Sequence, residues 1–168
     1  MSDFIEAALL MARRRHEQHI SGEVEFLLSC CQSPIEQKFG VALFATDPGT
    51  LCFTAVITKQ DKFGQHGFYI HPQMPVRQYR ADFGVILHSH YGTYRVVAEC
   101  DGHQWHEKDK EQAARDKARD RAFLEEGWPT MRFTGSEIHK DAMSCADQVG
   151  DFLMQQMLRD HGHIKGTA

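Results

Sequence analysis

A chain of 168 residues, 42% hydrophobic and 25% charged, has the length and make-up of one globular domain with one sizeable core. Its net charge of −4 does not advertise a nucleic-acid surface, although that sum counts any acids that hold a metal and leaves eleven histidines neutral. No apolar run is long enough to cross a bilayer. The five cysteines lack a disulfide framework, with Cys30 and Cys31 adjacent, which points to free thiols in a cytoplasmic setting.

The first stretch, MSDFIEAALLMARRRHEQ, places acids before its apolar part and a basic run after it, the wrong order for a secretory signal. Ser2 is a candidate N-cap for a helix over roughly residues 3–19, with Ile5, Ala8, Leu9 and Ala12 at helical spacing. Arg13, Arg14 and Arg15 suit the negative end of that helix, and would alternatively serve as a phosphate-contacting arm. A short helix is expected over residues 23–30.

SPIEQKFGVALF then carries a clear helix start. Ser33 is the N-cap, Pro34 occupies the first turn and Glu36 completes a capping box. Glu36 thus already has a structural job. Asp47-Pro48-Gly49 is a turn, residues 51–58 read as a strand, and residues 59–66 form a polar loop. Residues 67–71 are a second short strand, and HPQMPVRQ, with two prolines, reads as a connector.

QYRADFGVIL alternates, with Tyr79, Ala81, Phe83, Val85 and Leu87 on one face and Asp82 on the other, flanked by Arg80 and Gly84. VVAECDGHQWH begins as a strand and ends in Glu99, Asp101, His103, Trp105 and His106. Side chains two apart share a face, so Glu99 and Asp101 sit side by side and repel unless a cation or proton intervenes. A hairpin turning through HSHYGT would bring Asp82 against Glu99 and gather three carboxylates. Mg²⁺ suits such a site, with Mn²⁺ as a substitute. The bland reading is an acidic strand end closed by an Asp101-Gly102 turn. Cys100, Asp101, His103 and His106, with His88 and His90 on the preceding turn, also offer zinc donors, although Cys-x₂-His-x₂-His spacing is poor for a structural finger.

EKDKEQAARDKARDRAFLEEG, residues 107–127, is a strong helix stopped by Gly127. Its narrow stripe is Ala114, Ala118 and Ala122 with Phe123 and Leu124; its interleaved charges read as a solvated face. Residues 128–133 form a strand entered through Pro129, suiting an edge position. A final amphipathic helix is expected over residues 141–160, with Ala146, Val149, Leu153 and Met157 inward, followed by a loose tail.

The segments SPIEQKFGVAL, YRADFGV, AECDGHQWH, ARDKARDRAFLEEGW and RFTGSEI, in this order and spacing, resemble the PD-(D/E)XK, or restriction-endonuclease-like, superfamily. The narrower likeness is to very-short-patch-repair endonucleases and the DUF559 family. The resemblance implies an α/β fold with an αβββαβ core, a mixed four- to five-stranded sheet flanked by helices, and extra helices at both ends. One domain would divide into a helical extension over residues 1–32, a nuclease-like core over 33–138, and a C-terminal helix and tail over 139–168.

Carried over by position, the resemblance makes Asp82 the metal-binding aspartate and Glu99 the acid of the (D/E)XK element. Asp101 stands where the common pattern has lysine and would add a metal ligand, with the Cys100 carbonyl as a further donor. His106 matches an active-site histidine, Glu36 a first-helix acid at the site's edge, and Asp116 and Arg119 the charged stretch of the following helix. Arg80, Lys108, Lys117 and Arg119 are candidates to steer a phosphate backbone. The expected activity is metal-dependent hydrolysis of DNA phosphodiester bonds; the alternative is an inactive nuclease-like module that binds nucleic acid or a partner protein.

Overall fold

Three consecutive strands, each rich in β-branched and aromatic residues, make the centre of the molecule. In the computed structural model, which describes residues 17, 19–46, 53–58, 65–101 and 110–160, they are β2 (Gly67–Val76), β3 (Tyr79–Ser89) and β4 (Gly92–Asp101). They pair antiparallel, and β3 and β4 form the expected hairpin with the turn at His90 and Tyr91. β1 (Phe53–Val56) adds in parallel beside β2, and β5 (Thr130–Thr134) in parallel beside β4. The sheet is therefore mixed, in the order β1-β2-β3-β4-β5, and α3 (Lys110–Glu125) supplies the crossover that two parallel neighbours require.

Helices α1 (residues 19–30), α2 (Pro34–Ala45) and α4 (Gly135–Asp160) complete the α/β architecture. α2 and α4 cover one face, where Phe39, Leu43, Phe83, Val96, Ile138 and Val149 are buried together. Phe39 meets Phe83 edge-on at 5.9 Å. On the opposite face, Phe123 of α3 and Trp128 close over Tyr69, Ile86 and Val97. The outer edge of β1 is tied down from α1, where Glu23 Oε2 accepts the backbone N–H of Val56 at 2.6 Å.

Several boundaries differ from the sequence expectation. The proline-rich connector is strand: β2 runs on through Pro72 and Pro75 to Val76. β1 pairs only with residues 67–70, so beyond Ile70 β2 is an edge, where a missing N–H costs no ladder bond. The alternation of β3 also breaks. Phe83, Val85 and Leu87 join the α2/α4 core, whereas Tyr79 and Ala81 pack with the α3-side cluster. The break falls at Asp82. The β2–β3 register passes Pro72↔Phe83 and resumes at Met74↔Ala81, and the unpaired Gln73 opposite Asp82 has a φ of 51°.

In α3 the alanine stripe is only partly used: Ala122 and Phe123 are buried, while Ala114 is exposed and Leu124 is 66% exposed. The helix leans on the sheet through its last turns, which end at Gly127 with φ 75°. α4 starts earlier than expected. Thr134 and Glu137 form a second capping box, and the helix kinks at Asp141, whose Oδ1 accepts the Ser144 N–H at 2.9 Å. Asp141, the expected start, is thus the cap of the longer segment. The first expected helix, the three-arginine run and the C-terminal tail lie outside the described residues, apart from the first helix's last turn.

Candidate active site

The carboxylates converge where β3 and β4 part. Their register runs to Phe83↔Ala98 and no further; Asp82 is the next residue on β3 and Glu99 the next on β4. Asp82 Oδ2 accepts the backbone N–H of Cys100 at 2.8 Å, which fixes the carboxylate at this fork. Burial raises the Asp82 pKa, the Cys100 N–H opposes that rise, and the nearby charge of Glu36 adds to it.

Glu99 is only 2% exposed. Burial pushes its pKa up to about 7; Arg119 works against this, and Asp82 works with it. Glu99 Oε2 accepts from Arg119 of α3 and lies 3.9 Å from Arg132 of β5. Glu99 Oε1 is buried with no hydrogen-bond donor. A buried anionic oxygen without a partner is costly, and a cation is one way to satisfy it.

Asp101 leaves β4 on the Glu99 face and meets Arg132, whose Nη1 lies 3.3 Å from Asp101 Oδ1. Arg132 also donates to Asp120 of α3. Burial disfavours the Arg132 charge, but the hydrogen bond to Asp120 and the charges of Glu99 and Asp101 outweigh it and raise its pKa. Cys100 turns the other way, into the α2/α4 core, as expected for its alternation with Glu99; burial raises its thiol pKa well above the usual range.

Glu36 is buried in its capping box, but its carboxylate does more than cap. Ser33 Oγ accepts the Glu36 N–H at 3.2 Å and donates to Oε1 at 2.9 Å. Oε2 accepts the Gln32 N–H at 2.8 Å and Gln73 Nε2 at 2.9 Å. The left-handed Gln73 thus ties the head of α2 to the strand opposite Asp82. Glu36 also makes itself felt at Cys31, whose thiol is pushed up to about 12 by burial first and by Glu36 next.

Hard carboxylate oxygens are the right donors for Mg²⁺, which one or two carboxylates and several waters commonly hold. Asp82 and Glu99, with the unpartnered Oε1, fit that pattern. Asp101 is engaged by Arg132, and among the described residues no group of three or more His, Cys, Asp or Glu is arranged to hold a metal ion. The three acids expected to share a metal do not form such a group among the described residues, and Asp101 faces the arginine of β5 instead. Arg80 and Lys117 are exposed on β3 and α3, whereas Arg119 points inward to Glu99 and is not a free backbone contact. His106, Lys108, His103 and Trp105 lie outside the described residues.

Sequence reasoning missed Arg132, Asp120 and Gln73. Arg132 carried a readable signal, being the one charged side chain in TMRFT, whose neighbours Met131 and Phe133 alternate inward against the α2/α4 core. Gln73 carried none, because its importance rests on a backbone angle.

No curated protein and no solved structure matches the chain. The family model REase_MTES_1575, a restriction-endonuclease-like family, matches residues 57–153. That span holds β2 to β5, α3 and most of α4, and with them Asp82, Glu99, Asp101, Arg119 and Arg132. With more than half of its length matched and the expected mixed sheet in place, the chain belongs to the restriction-endonuclease-like family REase_MTES_1575.

Proposed function

We propose that this chain is an endonuclease that hydrolyses DNA phosphodiester bonds with the help of Mg²⁺, or Mn²⁺ in its place. The observation that carries the reading is the fork of β3 and β4, where Asp82 and Glu99 are placed together and Glu99 keeps a buried oxygen without a donor. Asp82 and Glu99 would hold the cation, with the Cys100 carbonyl as a further donor and Asp101 as a ligand if it leaves Arg132. A cation bound there would supply an acidified water and offset charge on the phosphate. The Cys100 N–H orients Asp82, and Glu36 adds negative charge beside it. Arg80 and Lys117, both exposed, suit steering of the DNA backbone, a task for which the sequence also offers Lys108. His106 would move protons.

A second reading rests on the two arginines. Glu99 and Asp101 already have cationic partners in Arg119 and Arg132, as a module that only binds DNA or a partner protein would require. The deciding experiment is a cleavage screen on single-stranded, duplex, nicked and mismatched DNA with Mg²⁺ and Mn²⁺. It compares the native chain with Asp82→Ala. Metal-dependent nicking lost in the variant supports the endonuclease; salt-sensitive binding without cleavage by the native chain supports the module; equal cleavage by both, or cleavage in excess chelator, sinks the metal site.

A further inference from the structure

Arg132, we propose, is the cation that faces the scissile phosphate, and Asp101 is the residue that positions it; this rests on the endonuclease reading. The parallel β4–β5 register sets Arg132 directly beside Glu99, so the two side chains leave the sheet on the same face. One guanidinium then meets three acids: Asp101 Oδ1 at 3.3 Å, Glu99 Oε2 at 3.9 Å, and Asp120 Oδ1 across from α3. Acids on both β4 and α3 fix the plane of its fork. The side chain is still 24% exposed, so it is not sealed beneath its three acids.

The chemistry of the group limits what it does. Guanidinium keeps its proton at any working pH, so it is no base. It donates hydrogen bonds from a planar fork that matches two phosphate oxygens, and it stabilises charge that develops on them. Asp101, at the position where the common pattern has lysine, draws that charge to the same place from the neighbouring strand. Its own position under Arg132 explains why it does not complete a three-acid set. The functional cation is thus supplied across a strand pair and not along one strand.

Relocating the charge tests this. Native chain, Arg132→Ala, Arg132→Lys and the double variant Arg132→Ala/Asp101→Lys are compared in steady-state cleavage with Mn²⁺, and in DNA binding with Ca²⁺ replacing the active metal. Removing one preorganised donor predicts a loss in kcat on the order of a hundredfold for Arg132→Ala, with KM and DNA affinity little changed. Arg132→Lys keeps part of the activity, and the double variant recovers clearly above Arg132→Ala, which lost packing alone would not do. Should Arg132→Ala fail to fold, Arg132→Gln supplies neutral amide donors in place of the charged guanidinium and is expected to show the same loss. A native chain that cleaves while Arg132→Ala cleaves equally well, or a double variant no better than Arg132→Ala, overturns the inference and leaves the endonuclease standing. A native chain that cuts nothing overturns both.

Discussion

Asp82 accepts the backbone N–H of Cys100 at the point where β3 and β4 stop pairing, so a side chain takes the place of the next ladder bond. That one bond gives Asp82 a structural and a chemical part, and the two are separable. Asp82→Ala leaves a part-buried N–H without an acceptor, which costs about 1–3 kcal/mol. Asp82→Asn keeps an acceptor oxygen and removes the charge. Both variants are expected to lose cleavage, while thermal denaturation shows a drop for Asp82→Ala and little for Asp82→Asn. Equal destabilisation in the two would show that the charge, and not the acceptor, holds the fork.

Glu99 is expected to make the stability of the protein sensitive to pH when no cation is bound. Its pKa is raised from 4.5 to about 7, chiefly by burial, and Asp82 shifts in the same direction. The unfolded chain releases the Glu99 proton near 4.5, so the contribution to stability is full below that pH and is lost as pH rises through about 7. The amplitude is on the order of a few kcal/mol. Denaturant melts in chelator are expected to show the native chain losing stability across this window relative to Glu99→Gln. Mg²⁺ added above the window should return stability to the native chain, because a ligand bound only to the folded state stabilises it. A difference between the two proteins that stays constant with pH would contradict the burial account.

A cation bound at the proposed site would compete with Arg119 for the same carboxylate, since Arg119 already donates to Glu99 Oε2. Arg119→Met keeps an apolar stem beside Phe123 and removes the competitor. Loss of one charged hydrogen bond predicts Mn²⁺ binding tighter on the order of tenfold, read by calorimetry. Unchanged or weaker Mn²⁺ binding would place Arg119 among the groups that build the metal site.

Gly84, two residues from Asp82, has no room for a side chain. An added Cβ would run into the Sδ of Met74, which is itself fully buried. Gly84→Ala is expected to destabilise by about 1–3 kcal/mol through overpacking. Adding Met74→Ala should recover part of that loss, so the two changes are non-additive. Chemical denaturation of the four proteins measures the coupling, and strict additivity would rule out the close approach.

Local chemistry told much of the fold in advance. Ser33, Pro34 and Glu36 announce α2, alternation announces the β3–β4 hairpin, and the composition after residue 107 announces α3, because caps, period and propensity act over a few neighbouring residues. The likeness of Asp82 and Glu99 to a motif pair was legible for the same reason, since both lie on strands that one tight turn joins. What only the tertiary structure decided depends on neighbours distant in sequence. β2 tolerates two prolines because β1 stops short of them. Arg119 turns inward because α3 leans across Glu99. Arg132 reaches Asp101 because β5 joins β4 in parallel, a register set by packing of a crossover helix that no local pattern encodes.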